Sequence, residues 1–554
     1  MNIAHFLKTG LVIAFLLAGR AGAEIIPADR CVTWQGNVGV PGGIPDRAKI
    51  YQTFSAGAQL SEVQTALRNC PPNQVVKLGA GTYRWSEMLD WQSVNQGVVL
   101  RGSVDPNGAP ATKIIWSGGY IYMRSVFDES ALSVDVDLSK DALKGSTKIN
   151  LVSMPSWIVP GHLYILDQVD DPALVTAKGQ EGGESYRAHM GGGDRGMAQL
   201  VKVLSKTAKS ITIEIPLYHE FATKGKAQIA EAGYDPSSSV PRRNCGIENL
   251  YMEGQYADGD TRFIRMENCD GCWVKNVNIY NQPGGVAINT DFCYRCEIRD
   301  SFIHYSHAYG GGQGYGVALY NVTSASLVEN NILEHLHVAM GVDYGASGNV
   351  FGYNYEFHGF ADSKQQPAID SHGTHTMMNL WEGNYCEDKV LFDVIHGSGS
   401  DQTVFRNRIL GWQAGNTYDQ VAVEIDMYNR RCNVVGNILG LDKKHTIYEA
   451  VAPDNSYRWD RDRIIYVLGY GESLGYDDAA TLDVIRLDNY NTVNHGIPDR
   501  EAIGGAILPN SYYLSTKPAW FGDHPWPPFD PASPADAVVK NLPASDKNVF
   551  GVHP

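Results

Sequence analysis

Cys245-GIENLYMEG, Cys272-WVKNVNIYN, Cys296-EIRDSFIHY, Ser326-LVENNILEH, Asn349-VFGYNYEFH, Asn379-LWEGNYCED, Thr403-VFRNRILGW and Cys432-NVVGNILGL align with one another without internal gaps. Their starts are 27, 24, 30, 23, 30, 24 and 29 residues apart. Most place apolar residues at alternate positions, then Asn, Asp or Gly where the chain must turn, then a second short apolar run. One such unit cannot bury its apolar face alone, but stacked neighbours form a continuous core. No segment holds a 3.6-residue period for three turns, which excludes helical repeats, and each is too short for a four-stranded propeller blade. Parallel coils of two or three strands remain. Asn249, Asn276, Asn330 and Asn407, with Asp300, fall in register at the turns and suit an amide ladder.

These repeats resemble the pectate-lyase-like superfamily of right-handed parallel β-helices. The resemblance covers about residues 245–450, with an extension through Asp460 to Asn494. It implies an all-β solenoid, while the chemistry within that superfamily ranges over lyases, hydrolases, epimerases and adhesins.

Outside the repeats, residues 1–23 read as a signal peptide. Lys8 precedes the apolar run Leu11 to Ala18, and Ala21-Gly22-Ala23 supplies a small-residue cleavage site. The mature chain is therefore expected to be secreted or periplasmic, with no membrane insertion. Residues 24–125 form an N-terminal cap and first coils, with Leu60-SEVQTALRNC as a short amphipathic helix. In the superfamily such a helix plugs the N-terminal end. In residues 126–235, Thr147-KINLVSM, His162-LYILDQV and Ser210-ITIEIPLY read as antiparallel strands of an inserted subdomain. The β-helix is expected over 236–500, and 501–554 is an aromatic, Pro-rich segment lying extended over it.

A formal net charge of -16 argues against nucleic acid and anionic membrane surfaces as partners. A strongly anionic polymer is also a harder substrate unless cations intervene. Nine cysteines in an exported chain suggest disulfides with at least one left over. Cys269-x-x-Cys272 and Cys293-x-x-Cys296 have a spacing close to a zinc ribbon. Their repeat at 24 residues favours stacked cysteines or disulfides between neighbouring coils.

Candidate chemistry sits on the strand that precedes each repeat start. Val342-Asp343-Tyr344, Ile369-Asp370-Ser371, Phe392-Asp393-Val394 and Val423-Glu424-Ile425 each place a carboxylate after an apolar residue. With the apolar residues inward, the four acids point outward on consecutive coils and repel one another. His372 and His396 follow Asp370 and Asp393 closely, so Asp343, Asp370, Asp393, His372 and His396 form the expected catalytic set. Glu424, Asp426, Arg406 and Tyr428 are the expected substrate contacts, and Trp381, Trp412 and Tyr418 are further rings for stacking on sugars. His304, His307, His335, His337 and His358 lie along the same wall without a tight metal-ligand spacing.

Motifs of polygalacturonase-type hydrolases find only outline counterparts, in Asn289-Thr290-Asp291, Asp370, His396-Gly397-Ser398 and Arg406-Asn407-Arg408. The Asp291 to Asp370 gap is too long and the paired Asp is missing. The leading expectation is an exported enzyme that cleaves a polysaccharide, with hydrolysis by two carboxyl groups slightly favoured. Elimination on a uronic-acid polymer is the alternative, with Ca²⁺ on the acid ladder or Arg406 neutralising the uronate. A non-catalytic glycan-binding or adhesin module is the third reading.

Overall fold

Each repeat unit contributes one strand to each of three parallel sheets, of twelve, eleven and eleven strands. The computed structural model describes residues 25–125, 134–177, 179–181, 194–231, 240–361, 364–450, 462–471, 475–499 and 507–546. The expected signal peptide lies outside them. The first sheet runs from Ile50–Phe54 to Ile485–Leu487 and holds the starts of all eight aligned segments. The second follows directly after a bend, and the third takes the strand before each start, from Leu89–Asp90 through Gln420–Ile425 and Asp462–Leu468. The chain is a right-handed parallel β-helix.

Alternation decides which side chains fill the interior. Ile247, Val274, Ile298, Val328, Phe351, Trp381, Val404 and Val434 of the first sheet are buried in the main core, with Ile279, Ile303 and Leu333 of the second and Ile264, Ile288, Met340, Ile369 and Val423 of the third. The helix Leu60–Asn69 lays Val63, Ala66 and Leu67 into the same core beside the first coil, in the place expected for a cap. Trp381 stacks on Phe351 at 4.2 Å between ring centroids and is core, not a sugar platform.

The bend between first and second sheets is built from two neighbouring columns. One residue per coil takes the left-handed conformation: Asn249, Asn276, Asp300, Asn330, Tyr353, Gly383, Arg406 and Gly436, all with φ between 52° and 68°. From Asn330 onward the next residue belongs to the buried ladder Asn331, Asn354, Asn384, Asn407, Asn437 and Asn489, in which each Nδ2 donates to the following Oδ1 at 3.0 Å. The expected ladder mixed these columns, because Thr403 pairs with Leu380 and Asn433, one residue away from the gap-free alignment. Asn407 is in the buried column, while Asn249, Asn276, Asp300 and Asn330 are in the left-handed one.

The cysteine expectation also needs correction. Cys245, Cys272 and Cys296 stack in one core column and Cys269 and Cys293 in another, but none of the nine cysteines forms a disulfide among the described residues. In-register side chains on parallel strands leave the backbone in parallel, so their Cβ atoms keep the interstrand spacing of about 4.8 Å. A disulfide needs them about 3.8 Å apart.

Residues Asp135–Asp137 to Gln228–Glu231 form a six-stranded antiparallel sheet that includes Lys148–Asn150, Leu163–Gln168 and Ser210–Ile213. Its core joins Phe292, Tyr294, Val322 and Met377 at the corner between third and first sheets. At the other end of the chain, Leu508, Tyr513, Phe521, Phe529 and Leu542 pack on Val350, Leu380, Phe405 and Val435 and cover the outer face of the first sheet. No helix among the described residues is long and apolar enough to cross a membrane.

Candidate active site

The outer face of the third sheet holds a cavity of about 820 Å³ lined by Asp343, Asp370, His372, Asp393 and His396, all five residues of the expected catalytic set. Their arrangement differs from a single ladder of acids. One outward row runs Glu267, Asp291, Tyr320, Asp343 and His372, and Asp393 continues it beyond the pairing of Ser371 with Phe392. The adjacent row runs Gly341, Asp370, Leu391 and Glu424. Asp343 therefore faces His372, and Asp370 lies in the adjacent row. Apolar alternation fixes the face of a strand but leaves a two-residue slip undetected, since such a slip keeps every side chain on its side.

The imidazole stands between two carboxylates of its own row. His372 Nδ1 lies 2.6 Å from Asp393 Oδ2, and the other Asp393 oxygen accepts the Ile395 N–H at 3.0 Å. Burial disfavours the imidazolium, but Asp393, Asp343 and Asp370 together hold the His372 pKa well above its ordinary value. Burial pushes the Asp343 carboxyl well above the carboxylate range, offset in part by His372. Asp343 also accepts the Tyr344 N–H at 2.7 Å. A side chain at Gly373, where φ is +70°, would place its Cβ 2.0 Å from Asp343 Oδ1, so glycine is needed there. His396 packs edge-on against His372 at 4.8 Å between ring centroids.

Asp370 differs from its neighbours. It is 5 % exposed, and its Oδ1 has no hydrogen-bond partner. Burial, then the nearby Asp393 charge, pushes its carboxyl up to about 8. Ligand atoms of Asp370, His372 and Asp393 lie within 4.8 Å of one another. The site thus sets an Asp370 carboxyl pushed up to about 8 beside a His372 imidazole whose protonated form its three acid neighbours favour. One imidazole with two carboxylates suits a transition metal better than Ca²⁺, which takes six to eight oxygens.

Arg265, Glu267, Asp291, Tyr315 and Tyr320 also line the cavity, and none was in the expected site set. Arg265 bridges Glu267 at 2.9 Å and Asp291 at 3.1 Å. The row from Glu267 to Asp393 covers five coil steps, about 24 Å at the usual strand spacing. The alternating runs Phe263-Ile264-Arg265-Met266-Glu267 and Val317-Ala318-Leu319-Tyr320 carried the signal for these residues. They end at the corner that precedes a repeat start, as the Asp343 strand does.

An arm from the inserted sheet closes one side. Gln180 and Glu181 N–H donate to the Val394 and Ile395 carbonyls at 3.0 Å each, and Thr176 N–H to Ser398 Oγ at 3.0 Å. A Cβ at Gly179 would stand 2.0 Å from the Ile395 carbonyl oxygen, so only glycine lets the arm approach the loop that carries His396.

The expected substrate contacts lie elsewhere. Arg406 sits at the bend between first and second sheets, where its guanidinium donates to the carbonyls of Pro509 at 2.8 Å, Leu508 at 3.3 Å and Phe529 at 3.4 Å. It fastens the C-terminal segment. The slip at Thr403 is what made it look outward. Glu424 accepts from the buried Lys389 Nζ at 2.7 Å, and Lys389 also reaches Asp419 at 2.7 Å. Asp426 and Tyr428 do not line the cavity, and the Tyr428 N–H donates to Asp477. Of the further histidines, His337 lines the cavity, while His304 stacks on Phe302 on the second sheet.

No family model matches the chain, and no curated protein does. Among solved structures it is similar to the tailspike protein of Pseudomonas phage LKA1, with 13% identity and a TM-score of 0.48 over 71% of this chain and 59% of that one. The chain thus spans about three fifths of that tailspike's length. It is also similar to the Azotobacter vinelandii mannuronan C-5 epimerase A-module, with 11% identity and a TM-score of 0.34 over 79% of this chain and 97% of that one. The catalytic domain of a GH87 α-1,3-glucanase solved with nigerose matches with 10% identity and a TM-score of 0.36, over 80% and 69% of the two chains. At these identities the likeness concerns the fold.

Proposed function

We propose that this chain is an exported glycoside hydrolase that cleaves an uncharged polysaccharide in the third-sheet cavity. The observation that carries the reading is the unpartnered, buried Asp370 carboxyl beside the His372–Asp393 pair. In this reading Asp370 gives its proton to the leaving glycosidic oxygen as the bond from the anomeric carbon to that oxygen breaks. The Asp393 carboxylate adds to the anomeric carbon. Water, losing a proton to the Asp370 carboxylate, then displaces Asp393 and restores both groups. Oxygens within 4.8 Å fit the separation of about 5 to 5.5 Å in retaining pairs better than the 6.5 to 9.5 Å or so of inverting ones. His372 orients Asp393 and, as a cation, supports its charge.

Electrostatics favours an uncharged polymer over a uronate. The carboxyls of Glu181, Asp260, Glu267, Asp291, Asp343, Asp370 and Asp393 line the cavity. With Asp343 and Asp370 pushed toward the neutral form, the others meet Arg262, Arg265 and Lys364 as the permanent cations among the described residues. Arg265 is already engaged by Glu267 and Asp291, and Lys364 by Asp419 at 3.8 Å. The test is a panel of neutral and uronic polysaccharides. The reading expects new reducing ends from a neutral polymer, without ultraviolet absorbance from an unsaturated uronate. Absorbance growing with cleavage of a uronic polymer would establish elimination, and binding without any cleavage would establish an adhesin.

A further inference from the structure

A second cavity, of about 670 Å³, lies where the C-terminal segment meets the bend between first and second sheets, and it shares no lining residue with the first. Trp520, Asn330, Asp300, Asp523, His524 and Asp546 line it. We propose that this cavity is a non-catalytic binding site for an uncharged saccharide, which holds the polymer on the wall away from the cleavage site.

Asn330 carries the argument. It is 5 % exposed, its Nδ2 donates to Asp300 Oδ1 at 2.7 Å, and its Oδ1 has no hydrogen-bond partner. In the preceding pair of its column, Asn276 Nδ2 donates to Asn249 Oδ1 at 2.9 Å. The coil after Asn330 places Tyr353 in the column, and the Tyr353 hydroxyl is taken by Trp526 Nε1 at 2.9 Å and Glu382 at 3.0 Å. Asn330 therefore ends the column with a buried acceptor that a ligand hydroxyl can satisfy.

Trp520 supplies a ring beside that acceptor. Arg299 stands over it at 5.5 Å, and Tyr353 and Phe521 hold it edge-on and tilted at 5.9 and 5.2 Å. The ring is fixed on several sides and only half-buried. Two of the three carboxyl groups around it have a partner, although Arg299 is shared with Glu297 and Glu329. Asp300 pairs with Arg299 at 3.0 Å, and His524 Nε2 meets Asp546 at 2.7 Å while its Nδ1 lies 2.8 Å from the Lys540 carbonyl. Only the exposed Asp523 makes no ion pair among the described residues. A fixed ring and an unpartnered acceptor recognise C–H faces and hydroxyl groups, and the carboxyl groups of Asp300, Asp523 and Asp546 disfavour an anionic ligand. The ligand class is shared with the proposed function, but the site does not use the groove.

The test uses the full chain carrying Asp370→Asn, so that polymer stays intact, and measures its retardation in native gels cast with dextran, mixed-linkage β-glucan or galactomannan. Adding Trp520→Ala, or separately Asn330→Ala, is expected to weaken retardation by about tenfold in dissociation constant in the polymer that binds. Melting curves check that each variant is folded, and two independent variants guard against the loss of either. Retardation unchanged in both variants, or absent in all three polymers, overturns the proposal. Reducing-end release by the wild type is scored separately. Its failure would count against the groove reading and would leave the retardation result standing.

Discussion

Replacing Asn407 by Leu removes one rung from the middle of the buried amide ladder. Asn407 Nδ2 donates to the Trp381 carbonyl at 2.8 Å and to Asn437 Oδ1 at 3.0 Å. Its Oδ1 accepts the Asn384 backbone N–H at 2.8 Å and Asn384 Nδ2 at 3.0 Å. In the variant, Asn437 Oδ1 keeps the residue 407 backbone N–H, and Asn384 Nδ2 keeps the Phe351 carbonyl. The Asn384 N–H is left without a partner far from water, while the Trp381 carbonyl, paired in the parallel sheet with the next coil, loses only its side-chain donor. At about 1 to 3 kcal/mol for one unsatisfied buried group, the variant should lose about that much. Leu keeps the branching of Asn but is bulkier, so overpacking in this buried column adds to the loss. Urea unfolding followed by intrinsic fluorescence measures it, with Asn330→Leu as the comparison. Asn330 lies in the neighbouring column and gives up a single bond to Asp300, so it should lose less. Equal midpoints for Asn407→Leu and the wild type would refute the ladder as a source of stability.

Other expectations follow from the same structure. Turnover should fall as pH rises through about 8, where Asp370 loses the proton it must donate; a flat rate from pH 6 to 9 would contradict that role. Asp370 ionises near its ordinary value of 3.8 when unfolded and about 8 when folded, so the folded state binds more protons in between and stability falls as pH rises across that window. Asp370→Asn should therefore make the fall in melting temperature between pH 5 and 9 shallower, and an unchanged slope would count against the buried charge. Arg406→Ala should expose residues 507–530 to limited proteolysis without changing turnover, because its guanidinium holds the Leu508, Pro509 and Phe529 carbonyls; loss of turnover with an intact tail would return Arg406 to the site. Asp393→Asn should lower kcat by about 10² to 10⁴-fold with little change in polymer binding.

The stacking of coils was legible because apolar alternation and turn residues recur in every unit. The repeat starts fixed seven of the eight segments in register, and the slip at Thr403 arose where Arg406-Asn407 imitates the Asn of the neighbouring column. The site residues were legible as a group, since carboxylates after inward apolar residues must face outward. Their pairing was not. Asp343 opposite His372, with Asp370 in the next row, depends on loop lengths between strands that alternation does not encode. Arg265 and Tyr320 were missed for a related reason: alternation marks their strands as outward-facing, but they join the site only by stacking on distant coils. The Arg406 role depended on where the C-terminal segment docks, a contact between residues about a hundred positions apart in sequence.

The most direct measurement compares wild type and Asp370→Asn on the polysaccharide that the panel identifies, with reducing-end release followed at saturating polymer and pH 7. The account predicts a kcat lower by about 10² to 10⁴-fold in the variant, with its fold and polymer affinity retained. Wild-type kcat in Asp370→Asn would contradict it, and the proton donor would then have to be sought elsewhere along the row, first at Asp343 and Glu267.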